Sequence, residues 1–439
     1  MFFRFVYLFW MFVSQYSYFY INNFFTRTLF GLPSNNRLVL VKNITKRLEK
    51  INIVYVKVFQ SLCLEQGILR DEEKDYLMKY IDSVPYVNSD IDYKVLDKLQ
   101  EEFDIAVENK TPVNAGIVGI VFKGIHKSDN NRRIVIKMLK RDIVNTYNEA
   151  YSDLESLVKY LEWIPYINYI NYIKMISDSK ECILNQTDFI KECYNIEFFN
   201  QKYKNNKEFV LPEVYADITK TYNNVIVMTD ITGLRYNDIK DYDENIKYEF
   251  AKLFNKFAFL GVLYYSCLQG DYHAGNVFFY LNDNIDTNSD EKPKYQLGVI
   301  DFGLCYYSVS ENQNAYYTFF YNIQAKKEFD KIVDVLPTLL ENKDYYYTFS
   351  VLRKEMFVNE VIDCIKNYSN KNFDIRFFAN LSKIFKSYGL LYTKEFNNMC
   401  MSVQITNSIG LALSHKINKI QDELMNEFVK INKLIEIPD

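Results

Sequence analysis

From Leu38 to about Leu99 apolar residues return at steps of three and four, as in Leu38, Val41, Ile44, Leu48 and Ile51, until Pro85 breaks the pattern. That spacing predicts helices with one buried face. After Thr111 the texture becomes β-like: GIVGIVFKG, the turn-like SDNN, RRIVIKML and later VIVM at 225–228 predict a small sheet. Beyond Gly233 helical spacing resumes until NVFFY (276–280) and QLGVID (296–301). These two runs flank the polar DNIDTNSDEKPK and predict a hairpin with an inserted loop. The last stretch sets Ile417, Ile420, Leu424, Phe428, Ile431 and Ile435 on one helical face. No internal repeat is visible.

The amino terminus is the most hydrophobic segment. FVYLFWMFV (5–13) is wholly apolar, and no charge falls between Arg4 and Arg27, although Ser14, Gln15, Ser17, Asn22 and Asn23 interrupt the stretch. Nine helical residues cover about 14 Å of a ~30 Å hydrocarbon core, so the clean run cannot cross by itself. Three readings compete: an interfacial aromatic anchor, a helix packed onto the rest of the chain, and a signal peptide or true span. Peripheral membrane contact through residues 1–25 is favoured.

Composition narrows the function class. A length of 439 residues with 49% hydrophobic and 25% charged residues fits two to three globular domains. A net charge of -4 excludes the basic footprint of a nucleic-acid binder. Seven cysteines without a C-x-x-C pair fit neither a disulfide framework nor a zinc site, and point to a reducing, intracellular setting. With three histidines, His-based metal sites and Ser-His triads are improbable. Glycine is scarce at 13 residues, so each glycine is a candidate for a constrained position.

The strongest chemical signal is QGDYHAGN (269–276) followed by IDFG (300–303). Phosphoryl transfer needs a carboxylate near the attacking group and oxygen ligands for magnesium; Asp271, Asn276 and Asp301 supply them. Asp271 and Asn276 stand five apart, as in the catalytic loop of protein kinases. Upstream, Gly116-x-x-Gly119 precedes Lys137 in RRIVIKML, the order of a phosphate-covering loop and a kinase-type lysine. Glu192 in TDFIKECYN lies on a helical segment where a kinase places the acid that pairs this lysine. Singly each is ordinary: a strand-end lysine is usually solvated and Glu192 would be one more wet helix charge. Their order along the chain makes the chemical reading the stronger. Gln269 replaces the catalytic-loop histidine and no A-P-E follows IDFG, which argues against a standard peptide-substrate platform.

On these motifs the chain resembles the AarF/UbiB (ADCK-type) atypical kinases, linked to coenzyme Q and other prenyl-lipid metabolism, from about residue 38 to 310. YVKVFQSLCLEQGILRDEEKDYLMKYIDSVP is similar to the family's K-x-G-Q helix, with Lys57 and Gln60 kept and Phe59 replacing the glycine. That helix, by resemblance, packs across the active cleft and restricts protein substrates. PVNAGIVGIVFKG aligns with the alanine-rich nucleotide loop, which gives Ala115, Gly116 and Gly119 that role. QTDFIKE aligns with the E-x-D motif and its following glutamate, mapping onto Gln186, Asp188 and Glu192, with Gln186 in place of a carboxylate. DYHAGN resembles D-P-H-P-G-N, retaining Asp271, His273, Gly275 and Asn276 without the prolines.

The expected architecture is α+β: a two-lobed protein-kinase-like fold with a helical N-terminal extension. The expected segments are the hydrophobic residues 1–25, a helical extension at 26–110, a small lobe at 111–232 and a helical lobe at 233–439. A cleft between lobes is expected to take ATP with Mg2+. Lys137, held by Glu192, would contact phosphates, Asn276 and Asp301 would carry the metal, and Asp271 would serve the acceptor. Two functions remain: a Mg-dependent ATPase or phosphotransferase near membranes, with lipid as a candidate acceptor, and a pseudokinase that senses nucleotide and recruits a protein partner.

Overall fold

The structure, a computed structural model, describes residues 2–30, 37–56, 59, 70, 72–73, 76–77, 84, 86–161, 180, 184–282, 293–307, 310–325, 328–368 and 375–434. In chain order its main elements begin with α1 (Phe2–Phe30), α2 (Arg37–Ile51) and α3 (Tyr93–Phe103). There follow β1 (Ile105–Val107), β2 (Asn114–Ala115), β3 (Gly119–His126), β4 (Arg132–Leu139), α4 (Ile143–Leu161) and α5 (Phe189–Tyr203). Next come β5 (Phe209–Val210), α6 (Ala216–Thr221), β6 (Val225–Thr229), α7 (Glu244–Leu260), β7 (Cys267–Gln269), β8 (Val277–Leu281), β9 (Tyr295–Val299) and β10 (Cys305–Tyr307). The chain continues through α8 (Ser310–Ala325) to α9 (Lys394–Leu413) and α10 (Ile417–Leu434), with further helices between them, among them Val351–Tyr368 and Ile375–Ser387. It divides into two compact units, Met1–Cys193 with Val214–Asp230, and Tyr194–Glu213 with Ile231–Asp439.

In the first unit an antiparallel sheet runs β1-β3-β4-β6, with β2 added on β3. The predicted runs GIVGIVFKG and RRIVIKML supply the central strands β3 and β4, and VIVM supplies the edge strand β6. The turn at SDNN places Asn130 and Asn131 in the left-handed region, which asparagine tolerates. β1 starts the sheet earlier than the β-rich texture after Thr111 suggests, because three residues are too few to show an alternation. Along β4 the period-2 alternation sends Ile134, Ile136 and Met138 into a core with Phe122, Val227 and the α3 residues Leu96 and Leu99. Lys137 is thereby turned to the other face.

The amino-terminal stretch is a 29-residue helix. Leu8 and Met11 are buried in a cluster with Ile44, Leu48, Tyr147 and Tyr151, so α1 packs on α2 and α4. The reading as a true span is corrected: no described helix is long and apolar enough to cross a membrane, and the interrupting polar residues are the reason. Tyr7, Trp10, Tyr16, Tyr18, Tyr20 and Phe24 remain exposed on the same helix. The predicted face of α2 is observed, with Val41, Ile44 and Leu48 buried.

In the second unit β8 and β9 form the predicted hairpin, Val277 opposite Val299, and β5 pairs parallel to β9. The inserted loop at 283–292 lies outside the described residues. β7 and β10 make a separate two-stranded ladder. Residues 257–260 of α7 are all buried, and the helix packs along α9 and α10. Lys256 joins α7 to Glu427 of α10 and to Glu208, at 2.6 and 2.7 Å. Ile417, Ile420, Leu424 and Phe428 are buried as the terminal pattern predicts; the burial of Ile431 and Ile435 lies outside what the structure describes.

Candidate active site

In the first unit, β4 register places Lys137 between Val121 of β3 and Ile226 of β6. Its Nζ donates to both carboxylate oxygens of Glu192, at 2.8 and 3.0 Å, and lies 5.5 Å from the Phe189 ring centre. The Glu192 side chain is fully buried and that of Lys137 is 16% exposed, so the pair is largely desolvated and neither charge is stable there without the other. Glu192 stands in the first turn of α5, whose positive helix end favours an acid. Asp188 caps that turn, its Oδ1 accepting from the Lys191 amide at 2.9 Å. Gln186 lies half-buried in the preceding turn.

The residues expected to form the nucleotide loop, Ala115, Gly116 and Gly119, occupy β2, the turn after it and the start of β3. Ala115 is buried, and its carbonyl accepts from the Val84 amide. The Gly116 amide donates to the Gly119 carbonyl at 2.8 Å, so this amide closes the turn upon itself. At Gly119 a Cβ would sit 3.2 Å from the Met138 carbonyl oxygen, a close approach that favours glycine. Lys57 and Gln60 lie outside the described residues; Val54, Tyr55 and Val56 just before them are buried, and Tyr55 donates to Asp153 at 2.7 Å.

The second unit brings Asp271, His273, Asn276 and Asp301 onto one hydrogen-bonded loop system. Asn276 Nδ2 donates to the Asp271 carbonyl at 2.9 Å, and the Asn276 carbonyl accepts from the Ile300 amide at 3.0 Å. The first of these bonds turns Asn276 Oδ1 away from Asp271 as a potential ligand. His273 Nδ1 accepts from the Gly275 amide at 3.0 Å, which places the proton of the neutral ring on Nε2, 3.7 Å from Asp271 Oδ2. The Asp271 side chain is 44% exposed. Asp301 has φ 63°, a left-handed conformation that costs an L residue about 1–2 kcal/mol, less for aspartate. Its Oδ1 accepts from the Gly303 amide at 3.2 Å, and Gln269 Nε2 donates to its carbonyl at 2.6 Å.

Three supporting residues were missed by the motif reading. Tyr272, between Asp271 and His273, is buried, stacks on Phe254 at 4.2 Å and donates to the Phe254 carbonyl at 3.1 Å. It fixes the loop to α7 where the family has a proline, and burial holds its hydroxyl well above the ordinary tyrosine range. Arg235 lies 3.8 Å from the Phe278 ring centre and donates to the Gly275 carbonyl at 2.7 Å. Asn195 donates to the Phe302 carbonyl at 2.7 Å and accepts from Tyr307. Asn195, a polar residue one turn beyond Glu192 in an otherwise apolar helix stripe, is the one with a readable signal.

Oxygen donors on Asn276 and Asp301 suit magnesium, a hard cation that takes one or two carboxylates plus substrate phosphates rather than an all-protein cage. Among the described residues no cluster of three or more His, Cys, Asp or Glu side chains forms such a cage. The two oxygen donors would fit a magnesium ion that also binds substrate phosphates.

A strand lysine paired with a helix acid, an Asp-x4-Asn loop and an Asp-Phe-Gly turn define a kinase-like protein. The family model of the ABC1 atypical kinase-like domain matches residues 85–336, more than half of the chain, and the chain belongs to this family. Among its relatives is the probable serine/threonine-protein kinase abkB of Dictyostelium discoideum, 21% identical over 274 residues, 59% of this chain and 38% of that one. The probable protein kinase UbiB of Providencia stuartii is 22% identical over 239 residues, 53% of this chain and 43% of its own length. The chain thus spans less than half the length of these curated relatives. A solved structure of the Mycobacterium tuberculosis protein Rv3197 with erythromycin aligns at 15% identity over 86% of this chain and 95% of that one, with a TM-score of 0.49.

Proposed function

We propose that this protein binds ATP with magnesium and acts as an atypical ATPase or phosphotransferase at a membrane surface. The observation that carries the reading is the joined Asp271–Asn276–Asp301 loop system, with Asn276 held by the Asp271 carbonyl and Asp301 held left-handed. Lys137, kept straight by Glu192, orients phosphate oxygens. The turn at 116–119 would cover the phosphates, although the Gly116 amide itself is bonded to the Gly119 carbonyl. Asn276 and Asp301 would hold a magnesium ion, which would supply charge neutralisation to the phosphates. Asp271 accepts the proton of the attacking hydroxyl or water. The exposed tyrosines and Trp10 of α1 support a peripheral contact with lipid headgroups, and prenyl-lipid metabolism is the setting that the family resemblance implies.

A second reading, a nucleotide-sensing pseudokinase, is favoured by Gln186, which removes a carboxylate from the E-x-D motif. The two separate by Mg-dependent phosphate release from ATP with lipid vesicles present. The enzyme reading expects release by the wild type, its loss in Asp271→Asn and near-equal ATP affinity in both. ATP binding without any release by the wild type would select the pseudokinase.

A further inference from the structure

The glutamine that replaces the catalytic-loop histidine is more than a departure from pattern. We propose that Gln269 is a positioning residue for Asp301: its carboxamide locks the Asp301 peptide and so sets the direction of the carboxylate. The role rests on the magnesium reading of Asp301 given above.

Gln269 ends β7 and pairs with Cys305 of β10, which lays it beneath the chain that leaves Asp301. The side chain is 1% exposed, and Nε2 lies 2.6 Å from the Asp301 carbonyl oxygen. Because a carbonyl only accepts, the amide nitrogen must face it, and the amide orientation is settled. The other end, Oε1, is buried and has no hydrogen-bond partner among the described residues. A residue needed only for packing would gain by losing both polar atoms, since an unpaired buried acceptor is costly. The N–H donor is therefore what the site requires. The bonded carbonyl belongs to the one residue of the Asp-Phe-Gly turn that is held left-handed. The next carbonyl, of Phe302, is held by Asn195, and the Gly270 amide donates to Leu304 at 2.7 Å. Gln269 thus ties the strand leading into Asp271 to the peptide of Asp301, and the two acidic groups are set by one short segment.

The test is a Mn2+ titration of the full chain in the presence of ADP, read as free Mn2+ by electron paramagnetic resonance and requiring no turnover. Gln269→Met and Gln269→Glu should each weaken Mn2+ on the order of tenfold, as loss of an outer-shell partner does. Gln269→His, which returns an N–H donor, should restore most of it, with metal-free ADP affinity unchanged throughout. If Asp301→Asn weakens Mn2+ while Gln269→Met and Gln269→Glu do not, the proposal is overturned and the magnesium reading stands. Weakening in all three Gln269 variants, His included, marks the residue as packing only and also overturns it. If Asp301→Asn itself leaves Mn2+ affinity unchanged, the magnesium reading fails first and the positioning role falls with it.

Discussion

At the scale of single residues, stability and chemistry share the same side chains. Lys137 and Glu192 form a pair in which removal of one partner strands a buried charge. Glu192→Ala should therefore lower unfolding free energy by about 3 kcal/mol in urea titrations. A loss below about 1 kcal/mol would mean that the lysine finds water instead. Burial pushes the Cys267 thiol up to about 12 from an ordinary 9.0. A raised folded pKa binds the proton more tightly in the native state, so this contribution is complete below pH 9 and is lost as the pH rises toward 12. Urea midpoints should fall across that window and fall less steeply in Cys267→Ala; parallel curves would remove Cys267 from the account. The motif residues Lys137, Glu192, Asp271, Asn276 and Asp301 were legible because chemistry limits their identity and order. Tyr272 and Arg235 were not, since an anchoring ring and a stacked guanidinium are defined by neighbours distant in sequence.

At the scale of elements, legibility followed length and periodicity. The strands of RRIVIKML and VIVM, the β8–β9 hairpin and the face of α2 were readable because several apolar positions repeat. β1, β5, β7 and β10 have two or three residues each, too short for a period, and are specified by the partner strand. α1 held two patterns on one helix, a buried stripe at Leu8 and Met11 and an exposed aromatic surface. These should separate by mutation. Leu8→Asp should lower the melting temperature by several degrees, because a charge enters a packed cluster. Trp10→Ala should leave melting unchanged while reducing co-flotation with anionic vesicles. Equal flotation of Trp10→Ala and wild type would reject the membrane role of this face.

At the scale of the whole molecule, Gly116, Gly119, Lys137 and Glu192 fall in one unit and Asp271, Asn276 and Asp301 in the other. The kinase-like class was readable from the order of these residues along the chain, and the family match over residues 85–336 agrees with it. What the chain acts on was not readable, because none of its motifs is specific to one substrate class. The central claim is that the protein binds nucleotide through a metal held by Asp301. Calorimetric titration with ATP, with and without Mg2+, on wild type and Asp301→Asn tests it most directly. The account predicts that Mg2+ tightens ATP binding to the wild type and that Asp301→Asn abolishes this gain while retaining metal-free binding. No ATP binding by the wild type, or the same Mg2+ gain in both proteins, would contradict it.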